Sequence, residues 1–377
     1  MSTKKFAQIL NRISAFDFTQ PQKSYIKNIP QLKKDLMIAL GTKNNEKKQI
    51  LFAKAAQIRN QYNGQRMVLR GLIEFSSYCT NTCMYCGLNA TNTSAKRYKL
   101  SPEQILECVD AIWAHGIKTV VLQSGEDCMK KEAFAEIIQE IKSRYDMAIT
   151  LSVGERSKKD YTYWKKAGAD RYLLRIESTD VQIYERLHLN RSLKSRMSCL
   201  DTLQHLGYQT GSGFMVGLPG QSLHTITDDI IFLAKHNFDM IGIGPFIPHQ
   251  DTPLRKATPG DIQLTLKAIA LIRLVNKNAW LPATTAVGSL TRDYRVDALH
   301  AGANVIMPNF SPASAKAMYQ IYPHKKCIQE QTDSLSKKMK TLASKALLKV
   351  DYSRADSLKP FYKKKDPVSY ETGSFGR

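Results

Sequence analysis

The chain has 377 residues, of which 43% are apolar and 23% are charged. These fractions are close to globular averages, so a mainly disordered chain and a fibrous repeat are excluded. Lysine and arginine number 55 against 33 aspartate and glutamate residues, which gives a formal net charge of +22. An excess of this size is common in proteins that bind nucleic acids or anionic membranes.

The positive charge lies at the two ends of the chain. Residues 1–70 carry a net charge of +11 and residues 325–377 carry +7, whereas residues 71–324 carry only +4. A nucleic-acid-binding face would need basic residues interleaved with stacking aromatics, and the nearly balanced body does not provide one. We therefore expect no nucleic-acid partner, and a non-enzymatic metal-binding or nucleic-acid-binding protein is the least favoured class.

The first predicted element is an amphipathic helix. Apolar side chains recur there at helical spacing, namely Phe6, Ile9, Leu10, Ile13 and Phe16. The start lacks the continuous apolar core of a secretory signal, and no run of 18 or more uncharged apolar residues occurs. We expect residues 1–67 to form a helical cap, with no membrane partner and a cytoplasmic location.

Short runs rich in Val, Ile and Leu follow, alternating with helical stretches. The predicted strands span residues 68–75, 118–123, 147–152, 171–177, 211–217, 240–246, 282–286 and 303–308. Eight strands alternating with helices predict an α/β fold with parallel pairing through right-handed crossovers. The body has the ~250 residues typical of a (β/α)8 TIM-type barrel, and a doubly wound open sheet is the alternative.

The helices between these strands have recognisable ends. In 101–116, Ser101 is a good N-cap, Pro102 suits the first turn and Gly116 suits the end of the helix. Glycines before several predicted strands indicate where the preceding helix ends, at Gly116, Gly168, Gly207 and Gly302. We expect the barrel to span 68–324 and a basic C-terminal extension with one helix, residues 335–350, to span 325–377.

In a barrel of this type the chemistry lies at the C-terminal ends of the strands. Polar residues and glycines collect at those ends, namely Glu74, Ser124, Gly125, Glu126, Gly154, Glu155, Arg175, Glu177, Gly244, Pro245, Thr284, Thr285, Pro308 and Asn309. The predicted fold and the predicted site location therefore support each other.

Three cysteines follow the first predicted strand, and Cys79, Cys83 and Cys86 are separated by three and two residues. Three thiolates on one loop can bind a soft metal centre and leave one position open for catalysis. A zinc knuckle completed by a distant His or Cys is the alternative. The remaining cysteines are scattered, at Cys108, Cys128, Cys199 and Cys327.

This cysteine spacing, with Tyr85 before the last cysteine and a barrel strand before the loop, resembles the radical S-adenosylmethionine (SAM) superfamily. The resemblance implies that Cys79, Cys83 and Cys86 hold one 4Fe–4S cluster and that SAM binds its fourth iron. An electron from the cluster then cleaves SAM to give a 5′-deoxyadenosyl radical. The implied SAM-binding residues are Tyr85, Ser124, Gly125, Glu126, Glu177, Arg196 and Met240, with a glycine element at Gly211, Gly213 and Gly217.

Longer sequence segments resemble the HydE family of FeFe-hydrogenase maturases, among them LIEFSSYCTNTCMYCGL, GADRYLLRIE and FDMIGIGPFIPHQDTPL. The resemblance extends from about residue 54 to 327. The resemblance implies that the radical attacks an iron-bound cysteine of a carbonyl–cyanide iron synthon. That synthon comes from the maturase HydG, the product goes towards the scaffold HydF, and a ferredoxin or flavodoxin supplies electrons. The implied substrate-binding residues are Gln123, Thr150, Arg175, Thr284, Thr285, Tyr319 and Tyr322.

Alternatives and departures accompany this resemblance. A methylornithine synthase-like mutase or a biotin synthase-like enzyme, acting on a small amino-acid-type substrate, is the alternative on the same barrel. Arg175 could instead form an ion pair with Glu177 or Glu74 in the barrel core. Ile176 stands where many family members have His, and of three accessory-cluster cysteines found in some members only Cys327 remains. We therefore predict one cluster.

Overall fold

The computed structural model describes residues 1–127, 130–323, 325 and 334–359. Cys128, Cys327 and residues 360–377 of the basic extension lie outside the described residues. The strands are β1 Arg66–Leu69, β2 Gly71–Ser76, β3 Thr82–Cys83, β4 Thr119–Ser124, β5 Ala148–Ser152, β6 Arg171–Leu173, β7 His188–Leu189, β8 Gln209–Val216, β9 Met240–Pro245, β10 Val305–Ile306 and β11 Lys349–Asp351.

Helices separate most of these strands, and four α-helices precede the first strand. The α-helices are α1 Thr3–Ala15, α2 Gln22–Tyr25, α3 Ile29–Gly41, α4 Asn45–Asn63, α5 Pro102–Ala114, α6 Lys131–Arg144, α7 Lys158–Lys166, α8 Val181–Leu187, α9 Leu193–His205, α10 Leu223–Lys235, α11 Ile262–Val275, α12 Thr285–Gly288, α13 Arg295–His300, α14 Ala313–Met318 and α15 Leu335–Lys345. A single 3₁₀ turn, Ile26–Asn28, joins α2 to α3. The predicted amphipathic face of α1 is confirmed, because Phe6, Ile9, Leu10 and Ile13 are buried.

The central sheet is parallel and runs in the order β2-β4-β5-β6-β8-β9. Parallel bridges continue it from Met240 to Trp280 and from Pro282 to Val305, and Leu72 pairs with Asn309. These bridges return the sheet to its first strand and close the ring. The predicted α/β barrel is therefore confirmed, and the open-sheet alternative is excluded.

The strands predicted over 171–177 and 303–308 are shortened to β6 and β10, and two other predicted barrel strands differ more strongly from the structure. The first divides at Arg70, because β1 pairs with β10 and β11 whereas β2 pairs with β4. The seventh is reduced to bridges at Trp280 and Pro282. Pro282 has no N–H to continue a ladder, and the chain turns into α12 from Thr285, so the strand predicted over 282–286 is wrong in its second half.

Residues 349–359 of the C-terminal extension pack against the N-terminal end of the barrel. Helix α15 ends at Lys345, earlier than predicted, and β11 then pairs in parallel with β1. Beyond β11, Asp356 accepts a 2.9 Å hydrogen bond from the fully buried Arg171 at the start of β6. Ser357 donates a 2.5 Å hydrogen bond to Asp239, just before β9. This segment therefore covers the end of the barrel opposite the cysteines.

Local signals in the sequence account for the helix ends. Ser101 and Gln104 form a capping box at the start of α5. The predicted glycine stops all have positive φ, at Gly116, Gly168, Gly207 and Gly302. Within the described residues, no helix has the length and apolar character needed to cross a membrane.

Candidate active site

The three cysteines lie on a loop whose two ends are tied together. The Ser77 N–H donates to the Tyr98 carbonyl at 3.0 Å, and the Tyr98 N–H donates to Ser77 Oγ at 2.8 Å. We call residues 77–98 the cysteine loop. Its cysteines are partly exposed and form no disulfide with another described cysteine. Because its ends are held close together, the segment forms a compact loop at the C-terminal end of β2.

The cysteine loop packs directly against the residues that follow β4. A Cβ atom on Gly125 would lie 2.2 Å from the Tyr78 carbonyl oxygen and 2.9 Å from Cys79 Cβ, so a side chain cannot fit there. The Thr80 N–H and hydroxyl both donate to the Glu126 carbonyl, at 3.0 and 3.1 Å. Glycine is therefore needed at residue 125 because the cysteine loop approaches its backbone.

A pocket of about 290 Å³ opens beside the cysteine loop at the C-terminal end of the barrel. The predicted site residues that line it are Cys83, Tyr85, Cys86, Gln123, Ser124, Glu126, Arg175, Glu177, Arg196, Tyr319 and Tyr322. The structure thus brings together most of the residues predicted from the sequence. The volume of the pocket is at the lower end of the range for small-molecule sites.

Other predicted site residues do not line this pocket. Met240 lies at the first position of β9, at the opposite end of the barrel, where its sulfur accepts a hydrogen bond from Arg70 at 2.8 Å. The prediction that Met240 contacts SAM is therefore not supported, because SAM would bind where the strands end. Thr150 is buried within β5, and its hydroxyl has no hydrogen-bond partner among the residues that the structure describes. Thr284 and Thr285 sit at the start of α12, beside the lining residue Ala286.

Two charged side chains of opposite sign face each other in the pocket. Arg175 Nη2 lies 3.0 Å from Glu177 Oε2, so the ion-pair reading of Arg175 is correct for this structure. These two atoms and Arg175 Nε are buried, and none of the three has a hydrogen-bond partner among the described residues. Burial raises the pKa of Glu177, although Arg175 and Arg196 oppose that rise. Unsatisfied buried donors and acceptors indicate a place for a polar ligand.

A network of carboxylates and guanidinium groups forms a second wall of the pocket. Glu126 accepts hydrogen bonds from Arg191 at 2.5 Å and from the Glu155 N–H at 2.9 Å. Arg196 donates to Glu155 at 2.6 Å and to the Arg175 carbonyl at 2.7 Å. Glu155 was predicted only as a polar strand end, and Arg191 was not predicted at all. Each acidic side chain of this network is therefore held in place by a cation.

His188 is a pocket residue that sequence reasoning missed. Its backbone pairs with Cys83 across β3 and β7, and its Nε2 lies 2.8 Å from the Tyr85 hydroxyl. Burial lowers the pKa of His188 to about 4, so the ring is neutral near pH 7. Its Nδ1 lies 2.8 Å from the Tyr184 carbonyl and must carry the proton. Nε2 is then an acceptor, and the Tyr85 hydroxyl donates to it.

The chain after α14 crosses the pocket and returns to the barrel. The Gly87 N–H of the cysteine loop donates to the Ile321 carbonyl at 3.0 Å, and Gln123 reaches the Tyr319 hydroxyl at 3.5 Å. The Lys325 ammonium then lies 2.6 Å from Glu74, and both side chains are at most 2% exposed. We call residues 319–323 together with Lys325 the pocket strap, because they join the cysteine loop to the first barrel strand.

Asp229 on α10 joins two loops that border the pocket. One carboxylate oxygen accepts from the Thr179 N–H and hydroxyl, at 2.6 and 2.8 Å, and the other accepts from Gln221 at 3.4 Å. Burial raises the pKa of Asp229 to about 7, against the effect of these donors. Thr179 follows Glu177 closely, and Gln221 binds the backbone N–H of Gly217 at 2.7 Å. Asp229 therefore supports the pocket wall.

The cysteine loop suits an iron–sulfur cluster better than a single ion. Among the residues described, no group of three or more His, Cys, Asp or Glu side chains is arranged to hold one metal ion. A cluster does not need such convergence, because each thiolate binds a different iron. Burial raises the pKa of all three thiols, that of Cys83 to about 12, so without metal the thiols keep their protons. The arrangement fits a cluster whose irons displace those protons.

Comparison with known proteins gives consistent results. Residues 73–233 match the radical SAM superfamily. The chain is 46% identical to the [FeFe] hydrogenase maturase subunit HydE of Thermotoga maritima, over 78% of this chain and 84% of that protein. It is 29% identical to 3-methylornithine synthase of Methanosarcina acetivorans, over 76% of this chain and 82% of that protein.

The fold has a close counterpart among solved structures. The crystal structure of methylornithine synthase (PylB) superposes with a TM-score of 0.76 at 24% identity, covering 92% of this chain and 98% of that chain. At this identity the likeness concerns the barrel fold alone. The sequence likeness to HydE is much higher and extends over most of both chains. The chain therefore belongs to the radical SAM superfamily and, within it, to the HydE family of [FeFe]-hydrogenase maturases.

Proposed function

We propose that this enzyme binds one 4Fe–4S cluster through Cys79, Cys83 and Cys86 and binds SAM in the adjoining pocket. The observation that carries the proposal is that Cys83 and Cys86 share a 290 Å³ pocket with the Arg175–Glu177 ion pair, whose facing atoms make no hydrogen bond within the described part of the chain. When bound, the reduced cluster supplies the electron that cleaves SAM to methionine and a 5′-deoxyadenosyl radical. The residues of this chain bind and orient the reactants and exclude water.

The pocket walls offer groups for both ends of SAM. Glu126, with Ser124 and Gly125 beside it, could accept a hydrogen bond from the methionyl amine, because each carboxylate oxygen has a further lone pair. Arg196 could balance the methionyl carboxylate, although Glu155 holds it at 2.6 Å in this structure. Tyr85, oriented by His188, presents its ring to the same space. Glu177 lines the pocket and is proposed as a further SAM ligand, whereas Met240 lies at the other end of the barrel.

The proposed substrate is an iron-bound cysteine carrying carbonyl and cyanide ligands. Arg175 supports an anionic substrate, because in the described part of the chain two of its buried nitrogens have no hydrogen-bond partner, although one of them forms an ion pair with Glu177. Gln123, Tyr319 and Tyr322 border the same pocket. Thr150, Thr284 and Thr285 are proposed as deeper contacts, since the buried Thr150 hydroxyl also lacks a hydrogen-bond partner within the described residues.

The maturation context suggests the partners. We propose that HydG supplies the iron synthon, that HydF receives the product, and that ferredoxin or flavodoxin reduces the cluster, in the cytoplasm. The basic ends of the chain, residues 1–70 and 325–377, support docking of a more acidic protein. Complex formation should then weaken steeply as salt concentration rises.

The first test measures cluster content and SAM cleavage. Cys83→Ser should lose SAM-derived 5′-deoxyadenosine formation with dithionite while the barrel stays folded by circular dichroism. Cys108→Ala is the matched control, because Cys108 is buried on α5 away from the cysteine loop, and it should keep full activity. Continued 5′-deoxyadenosine formation by Cys83→Ser would contradict the cluster assignment.

The second test concerns the substrate. A host that lacks this gene should make a hydrogenase without its diiron subcluster, and the wild-type gene should restore it. Arg175→Gln should cleave SAM at a near-normal rate yet fail to restore hydrogenase activity. Turnover of a free amino acid with no effect on the hydrogenase would instead favour the methylornithine synthase-like alternative.

A further inference from the structure

Arg97 lies near the end of the cysteine loop and binds the backbone on both sides of the three cysteines. Its guanidinium group donates to the Ser77 and Leu88 carbonyls at 2.7 and 2.8 Å. It also donates to the Asn89 and Asn92 carbonyls at 2.7 and 3.3 Å. Ser77 precedes the first cysteine, and the other three acceptors follow the last. One side chain therefore spans the whole cysteine segment.

Side chains within the loop extend this arrangement. Asn89 donates to the Cys86 carbonyl at 2.7 Å, and Asn92 donates to the Gly87 carbonyl at 2.7 Å. Both asparagines are buried, and both also present their own carbonyls to Arg97. The backbone just after Cys86 is thus fixed through two residues that Arg97 holds. Planar guanidinium suits this task, because its five N–H donors have a fixed geometry.

The charge of Arg97 is not neutralised by a neighbour within the described residues. All of its hydrogen bonds go to carbonyl oxygens, and no described carboxylate forms an ion pair with it. Its acceptors Ser77 and Leu88 lie two residues before Cys79 and two residues after Cys86, so the charge sits beside the segment that carries the cysteines. The same charge would favour any negative group that the cysteines hold.

We propose that Arg97 is a positioning residue for the cluster, holding the cysteine loop in shape and supplying a positive charge that favours the reduced cluster. Reduction adds one negative charge to a centre held by three thiolates, and nearby charge and hydrogen bonds set the potential of such clusters. This inference rests on the proposed function, because it requires the cluster on Cys79, Cys83 and Cys86.

The test compares two substitutions of Arg97 in full-length, reconstituted protein. Arg97→Gln removes the charge and most of the donors, whereas Arg97→Lys keeps the charge but cannot reach four carbonyls at once. Arg66→Gln is the matched control, because Arg66 begins β1 at the opposite end of the barrel and is also partly exposed. The readouts are the midpoint potential by EPR-monitored redox titration and the rate of iron loss to a chelator.

We expect Arg97→Gln to lower the equilibrium constant for cluster reduction about tenfold, which is 59 mV for a one-electron couple. It should also lose iron several-fold faster than wild type. Arg97→Lys should keep the equilibrium constant within about twofold but lose iron as fast as the glutamine variant. Arg66→Gln should match wild type in both measurements.

Several results would overturn the inference. A midpoint potential in Arg97→Gln equal to that of wild type, or an equal shift in Arg66→Gln, would refute the electrostatic role. Unchanged iron loss in both Arg97 variants would refute the positioning role. If wild-type protein itself assembles no cluster, the proposed function fails instead, so the two failures are distinguishable. Should Arg97→Gln fail to fold, Arg97→Lys still tests the positioning role through its iron loss.

Discussion

Loss of the Lys325 ammonium should destabilise the protein strongly, because it would leave Glu74 charged and buried. The pair is separated by 2.6 Å, and both side chains are at most 2% exposed. After Lys325→Met, the Glu74 carboxylate would keep Asn309 as a donor at 2.8 Å. Breaking a buried ion pair by removing one partner costs about 3–5 kcal/mol. We expect a loss of that size in the free energy of unfolding.

The assay is urea denaturation of the cluster-free protein, arranged as a double-mutant cycle. Glu74→Gln together with Lys325→Met should recover about 2 kcal/mol relative to the sum of the single variants, because no isolated charge remains. Lys33→Met is the exposed control, since Lys33 and Asp228 are each about one-third exposed, and it should cost less than about 1 kcal/mol. A Lys325→Met variant as stable as Lys33→Met would refute the buried pair.

Three further predictions test other parts of the site. Gly125→Ala should displace the cysteine loop, because its Cβ would lie 2.2 Å from a backbone oxygen, and should lower the iron content after reconstitution; Gly41→Ala, with its nearest neighbour at 3.5 Å, should not. His188→Phe removes the acceptor for Tyr85 and should raise the KM for SAM about tenfold with little change in iron content, whereas equal losses of both would indicate general damage. Asp229 has a pKa of about 7 in the folded protein and about 3.8 when unfolded. Between these pH values the folded state binds more protons than the unfolded state, so the free energy of unfolding falls as the pH rises from 4 to 7. Urea denaturation should show that Asp229→Asn removes roughly 4 kcal/mol of this pH dependence, and an identical slope in the variant would disprove the buried, protonated carboxyl.

Much of the fold could be predicted because its signals are local. The N-cap at Ser101 and the stop at Gly116 depend on residues within one helical turn. The strand ends were recognisable because parallel strands in a barrel all point the same way, so polar residues after several strands converge. The sequence alone therefore predicts that the three cysteines and the residues after β4 and β6 lie at the same end of the barrel.

The parts that could not be predicted depend on contacts between distant residues. Cys83 and His188 pair across β3 and β7, each only two residues long, and neither segment has a periodic pattern. Lys325 meets Glu74 across 251 positions of the chain. Arg97 binds carbonyl oxygens, which every residue has, so no side-chain type marked its partners. Met240 was predicted as a SAM contact by resemblance alone, and the resemblance does not show that Met240 lies at the start of its strand rather than at its end.

The position of Ile176 explains why this departure from the family pattern leaves the pocket intact. Arg175 and Glu177 line the pocket, whereas Ile176 between them does not. Its side chain is fully buried in the main apolar core. A histidine at this position would have to fit within that core, so it would act first on packing and on the backbone that carries Arg175 and Glu177.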